Sequence, residues 1–203
     1  MKTRRVAWLG AVLLTAAAAL YLSVAPVGAQ DSRYRWDIVS VNFATGAVSA
    51  GGIASAFAND GSKITLKGSG TFRSNPGSPQ GVTGGGTWAA FAPGGAPAGS
   101  GTYRVTRFVS FIVAPGTPPV IVPPAPIDNI GDPADARAGL LVVRILYSDG
   151  STGVLTVSCH LVGTPDMVFE GITATKGFVD YWNREAPPAP PGDANRTVFH
   201  VLG

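Results

Sequence analysis

Between residues 68 and 103 the chain says the same thing three times: Gly68-Ser-Gly-Thr-Phe72, Gly84-Gly-Gly-Thr-Trp88 and Gly99-Ser-Gly-Thr-Tyr103. The aromatic positions step by 16 and then by 15 residues, room for one strand and one turn. Three successive strands of an antiparallel sheet follow, each begun by glycines that permit a bulge, a bend or a close approach of backbones. The Thr-aromatic pair closing each copy suits a pleated, half-buried surface. Three five-residue copies without a fixed period do not make a solenoid.

Working outward, the composition agrees. The 203 residues include 27 Gly and 17 Pro and no long helical periodicity, which predicts an all-β fold. The expected form is a single antiparallel meander making a small barrel or strongly curled sandwich. Residues 35–43 read as a first strand, then 51–57 and 63–72 as a hairpin around Asn59-Asp60-Gly61-Ser62. With Asp60-Gly61 as the central pair, Phe57 faces Ile64, and Ile53, Phe57, Ile64 and Leu66 share the buried face. Residues 75–80 read as a loop. Residues 87–91 pair with the long strand 101–113. That strand puts Tyr103, Val105, Arg107, Val109 and Phe111 on one face and Arg104, Thr106, Phe108, Ser110 and Ile112 on the other. Neither face is cleanly polar, which predicts cover on both sides. The proline-rich residues 114–136 read as a long crossing loop.

Residues 140–147 and 152–162 form the clearest hairpin. A two-residue Asp149-Gly150 turn sets Arg144 opposite Leu155, among apolar neighbours. A three-residue loop, with Gly150 left-handed, instead aligns Leu141, Val143 and Ile145 with Leu155, Val157, Cys159 and Leu161. Arg144 then joins Thr156, Ser158 and His160 on the opposite face. The second register avoids burying an unpaired guanidinium and is the one expected. Thr164-Pro165-Asp166 predicts a short helix. Residues 172–175 and 178–182 predict a hairpin through Lys176-Gly177, residues 187–191 a stiff spacer, and residues 197–202 a closing strand.

The N-terminus reads as an address. Lys2, Arg4 and Arg5 precede the uncharged run 6–25, and Val27-Gly28-Ala29 offers small residues for cleavage before Gln30. The pattern predicts a signal peptide over 1–29 and a secreted or cell-envelope protein, with an uncleaved anchor as the alternative. Those three basic residues carry the whole excess of 15 cationic over 12 acidic side chains. Residues 30–203 are therefore formally neutral, which argues against a nucleic-acid partner. They suffice for one all-β domain with its own core. The lone Cys159 excludes an intramolecular disulfide framework and a thiolate zinc site.

Several constellations invite a chemical reading. Cys159 and His160 are neighbours, but adjacent strand residues point to opposite faces and make no dyad. Cys159 is expected in the core. Glu170 and Asp180 resemble an acid pair for glycosidic chemistry, but a turn at Lys176-Gly177 sends them apart. Asp128, Asp132 and Asp135 lack the spacing of a calcium loop. No phosphate loop, nucleophile elbow, zincin helix or cysteine pair occurs, and no metal or cofactor is expected. Phe169, Phe178, Tyr181 and Trp182 are expected to cap the core. Asn195-Arg196-Thr197 is a glycosylation sequon, meaningful in a eukaryotic exported chain.

Over residues 68–103 the Gly-x-Gly-Thr-aromatic meander resembles the small antiparallel barrels of the allene oxide cyclase and dirigent type. The resemblance implies that architecture and no site residue. Three functional classes follow. The first is a non-catalytic module binding a small apolar or carbohydrate ligand or a surface partner. The second is a cyclase- or isomerase-like barrel enzyme with an interior polar cluster of Arg144, His160 and Glu170. The third is a structural envelope protein. The absence of a catalytic motif favours the first. A cavity holding Arg144 and His160 would favour the second, and a filled interior the third.

Overall fold

The structure, a computed structural model, describes residues 32–74, 81–115 and 127–203. The expected leader, the loop 75–80 and residues 116–126 of the proline-rich crossing lie outside them. Among the described residues the strands are β1 (Arg33–Asn42), β2 (Ala47–Ala50), β3 (Ala54–Phe57), β4 (Lys63–Arg73), β5 (Gly85–Phe91) and β6 (Pro97–Val113). They continue as β7 (Ala136–Arg137), β8 (Gly139–Tyr147), β9 (Thr152–Cys159), β10 (Gly171–Lys176), β11 (Val179–Tyr181), β12 (Asn183–Arg184) and β13 (Arg196–Leu202). All belong to one sheet, and every strand pairing is antiparallel.

The order β11-β10-β9-β8-β6-β5-β4-β1-β13-β7 departs from a plain meander where β1 sits between β4 and β13. The length of β4 makes this possible. Its residues 63–66 pair with β3, and its residues 69–73 pair with β1. The stretch 179–184 divides its pairing in the same way, first with β10 through β11 and then with β3 through β12.

The triple repeat has a packing cause. Gly68, Gly70 and Phe72 alternate onto the inner face, as do the matching residues of β5 and β6. A Cβ at Gly68 would stand 2.2 Å from Tyr103 Oη, and one at Gly70 would stand 2.6 Å from Trp36 Nε1. One at Gly101 would stand 3.1 Å from Trp88 Nε1. The aromatic rings thus lie over glycine backbone on neighbouring strands, and each glycine is the space a ring needs. Beyond them Tyr34, Phe72, Phe108, Phe111 and Phe199 cluster with ring centroids 4.7–6.2 Å apart. Ile38, Ile64, Leu66, Leu141, Ile145, Leu155 and Ile172 complete a fully buried core.

Register decides the rest. The β8–β9 hairpin has the expected three-residue loop: Tyr147 N donates to Ser151 O, Gly150 has φ +87°, and Val143 pairs with Leu155. Cys159 is buried and Arg144 exposed, as that register requires. The β3–β4 hairpin differs from expectation by one residue. Ala58 N donates to Ser62 O, and Asp60 Oδ1 accepts from Ser62 N and Oγ, so the loop is three residues long, Asn59 to Gly61, rather than two. Phe57 therefore pairs with Lys63, and Ala54 and Ala56 replace Ile53 and Phe57 on the buried face. In β6 two bulges, at 105–107 and 108–110, reset the alternation. Tyr103, Val105 and Phe108 all turn inward while Arg104, Thr106, Arg107 and Val109 stay exposed, so the predicted cover on both sides is not needed. The predicted helix at Thr164 is only a turn, with Thr164 Oγ1 accepting from Leu161 N. Where it is described, the end of the crossing loop carries a 3-10 turn (Pro133–Asp135) capped by Asp132, then β7.

Candidate functional site

Arg144 lies on the exposed face of β8 opposite Val154. His160 follows β9, six residues or about 20 Å further along an extended chain. The two are not brought together. His160 Nδ1 lies 2.7 Å from Val168 O, so that nitrogen carries the proton and donates. Glu170 is placed by Gly171, whose φ of +115° turns the chain into β10. Its Oε2 accepts from His160 N and its Oε1 from Thr197 N, both at 2.5 Å. Thr197 Oγ1 donates to Ser158 O at 2.6 Å, and Ser158 Oγ to Phe169 O at 2.6 Å. Burial pushes the Glu170 carboxyl up to about 8, against the two amides and the Arg196 charge, which lower it. Of the three candidate residues, only the His160 backbone and the Glu170 carboxyl meet. Asp180 is exposed on β11 and makes no acid pair with Glu170.

A second polar cluster lies on the outer face of β1 and β13. Arg35 Nε and Nη2 donate to Asp37 at 2.7 and 2.9 Å, and Asp37 is fully buried. Burial raises the Asp37 carboxyl, with the Arg35 hydrogen bond opposing it. His200, in register with Arg35, approaches Asp128 Oδ2 through Nε2 at 2.9 Å. Asp128 Oδ1 also caps the amides of Ile130 and Gly131. A Cβ on Gly131 would stand 2.9 Å from the His200 ring, so the strap after the crossing loop seals this cluster. The signal was in the sequence: Arg35 and Asp37 alternate with Trp36 and Ile38. Nothing in the sequence tied Asp128 to His200, 72 residues away. Among the described residues no three His, Cys, Asp or Glu side chains converge as metal ligands.

A third arrangement is open to solvent. Asn183, Phe57, Lys63 and Phe91 occupy directly opposed positions on β12, β3, β4 and β5. Beneath them Ala56, Ile64 and Ala90 are buried, so the row faces outward. Phe57, Lys63 and Phe91 line an open cleft of about 430 Å³, edged by Gly61, Gly94 and Gly95 of two turns. Lys63 Nζ stands 5.4 Å from the Phe57 ring centroid and 3.4 Å from Glu185 Oε2. Asn183 Nδ2 donates to Asn59 Oδ1 at 3.0 Å. Aromatic faces, an ammonium, a carboxylate and amides therefore share one surface. The one-residue shift in β3 hid this row from sequence reasoning, which put Phe57 inside.

The C-terminal aromatics divide. Tyr181 is buried in the core, but Trp182 is 59% exposed and Phe178 fully so, which corrects the expectation that they cap it. Asn195 of the sequon is buried, with Oδ1 accepting from Ser55 N and Nδ2 donating to Ala186 O, and offers no amide for a glycan. Among the described residues no helix is long and apolar enough to cross a membrane. No family model, no curated protein and no solved structure matches this chain.

Proposed function

We propose that this protein is a non-catalytic, exported binding module whose ligand is a carbohydrate held on the outer Phe57–Lys63–Phe91 row. The sheet that carries the row is read as a small barrel filled by its own side chains, since the stretch 179–184 links β10 to β3 across the gap. The observation that carries the proposal is the row itself: ring, ammonium and ring side by side in one open cleft. A pyranose has an apolar C–H face and a rim of hydroxyls. The phenylalanines suit the face, Lys63 donates to the rim, Glu185 accepts from it, and Asn183 does both. An enzyme built on Arg144, His160 and Glu170 is disfavoured. Arg144 stands apart, and the Glu170 oxygens are taken by backbone amides.

The test is titration of the protein with neutral oligosaccharides, followed by calorimetry. Phe57→Ala and Phe91→Ala are each expected to weaken binding about tenfold, the loss of one aromatic contact of about 1.4 kcal/mol. Arg144→Ala, far from the row, should leave it unchanged. Saccharide binding that survives both phenylalanine substitutions moves the site elsewhere. A chain that binds no saccharide at all returns the protein to the structural-envelope class, which the filled interior also suits.

A further inference from the structure

The first bulge of β6 re-aims a charge. It leaves Thr106 without an opposite number in β8 and sets Arg107 against Arg144. An unbroken strand would set Arg107 against Val143, which is fully buried in the core. Thr106 Oγ1 donates to Arg144 O at 3.1 Å and ties the bulge to β8. Arg104, three residues before Arg107, would face away from it in a regular strand; with the bulge both are exposed on the outer face. Arg104 is in register with Leu146, two residues from Arg144, so Arg104 and Arg107 lie about 7 Å apart along the sheet. Arg107 and Arg144 are closer, since directly opposed residues have Cα atoms about 5 Å apart.

Three guanidiniums thus share one patch, and none has an ion-pair or side-chain hydrogen-bond partner among the described residues. The nearest acids are engaged or distant. Asp37, in line with Arg104 through Gly85 and Ser69, is fully buried and held by Arg35. Asp149, in the turn after β8, is held by Lys176. Asp180 on β11 is separated from Arg144 by β9 and β10. Those three interstrand steps make about 14 Å, beyond the screening length of about 8 Å in physiological salt. Like charges directly opposed on a sheet cost stability, and an anion set between them relieves that cost.

We propose that Arg104, Arg107 and Arg144 form an anion subsite of the carbohydrate site, and that the ligand is an acidic polysaccharide bearing carboxylate or sulfate groups. The kind of polymer rests on the carbohydrate reading of the Phe57–Lys63–Phe91 row; its charge rests on the three arginines alone. β5 joins the two places. Phe91 at one end pairs with Lys63, and Gly85 at the other pairs with Arg104, six residues or about 20 Å away on the same outer face. Lys67 stands beside this path on β4, exposed and opposite Thr87. A planar guanidinium holds a carboxylate or sulfate through two parallel N–H···O bonds, so each arginine takes one acidic group. A chain with repeated acids therefore answers all three at once, while its apolar sugar faces lie on the phenylalanines.

Calorimetry with an oligogalacturonate, and with the same oligomer methyl-esterified to neutrality, tests the proposal on the whole protein. The acid is expected to bind at least about tenfold tighter than the ester at low ionic strength, a preference that fades as salt is raised. Joint replacement Arg104→Gln, Arg107→Gln and Arg144→Gln should abolish the preference. The melting temperature should hold or rise, because opposed like charges are gone. Arg107→Gln alone should lower the preference part of the way. Phe57→Ala should weaken acid and ester in proportion and leave the preference standing. Equal affinity for acid and ester in the unaltered protein, or a preference that survives the triple replacement, overturns the proposal and leaves the row intact. A preference lost with the arginines, beside ester binding that Phe57→Ala does not weaken, supports the subsite and overturns the row. A protein that binds neither oligomer overturns both. Tighter binding of oligothymidylate or of phosphatidylglycerol vesicles through the same arginines overturns the polysaccharide class.

Discussion

Tyr103 and Tyr147 stand opposite each other on β6 and β8 and differ by one hydrogen bond. Tyr147 Oη donates to Thr175 O at 2.9 Å, while Tyr103 Oη, Trp36 Nε1 and Trp88 Nε1 are buried with no partner among the described residues. An unpartnered buried hydroxyl costs stability, and removing it by a change of the same shape recovers that cost. Tyr103→Phe is therefore expected to be neutral or to stabilise by up to about 1 kcal/mol, and Tyr147→Phe to destabilise by about 1 kcal/mol. Urea unfolding of the pair reads the opposite signs directly, and equal losses would show that Tyr103 Oη has a partner. Lys176 limits the second change. Its ammonium lies 4.4 Å from the Trp88 ring and 5.2 Å from the Tyr147 ring, and it pairs with Asp149. Removal of one hydroxyl leaves that cap in place. The Lys176 hydrogen bond holds the Asp149 carboxyl down at about 2, so the cap stays ionised until strongly acid pH.

At the scale of the element, Gly68 of β4 tests whether the repeat exists for packing. A Cβ there meets Gly85 O at 2.6 Å as well as Tyr103 Oη at 2.2 Å, and the former is backbone. Gly68→Ala is expected to cost about 1–3 kcal/mol, the usual penalty of overpacking, whereas Ser69→Ala on the opposite face should cost less than about 0.5 kcal/mol. Thermal unfolding of the two variants separates them, and similar midpoints would mean that the repeat glycines serve only the backbone. The same contrast explains what the sequence disclosed. The β8–β9 register was legible because Arg144 forbade the alternative. The β3–β4 register was not, because Ala54 and Ile53 are both apolar and either face reads as buried. The bulges of β6 left no mark beyond a strand with two mixed faces. Glu170 as a bridge was invisible because it depends on Thr197, 27 residues on, arriving beside β9.

At the scale of the molecule, the single thiol reports on the whole core. Cys159 is fully buried among Leu141, Val157 and Phe199, and burial pushes its thiol well up. Labelling by a thiol reagent is expected only from the globally unfolded state and to slow in parallel with global stability. Labelling at the rate of a free thiol without denaturant would contradict the buried register. The pairing of β1 with β13 has a kinetic consequence. Arg33 meets Leu202, 169 residues away, and the ladder runs from there to Val39. Until β13 is present, one edge of β1 waits unpaired, and Arg35 and Asp37 lack the His200 that lies over them. Such closure at maximal separation demands its loop entropy before any contact repays it, which places folding in the slow, millisecond-to-second class of β-proteins. A chain made from its N-terminus therefore holds β1 in suspense, exposed to chaperones and to neighbouring chains, until β13 has left the ribosome.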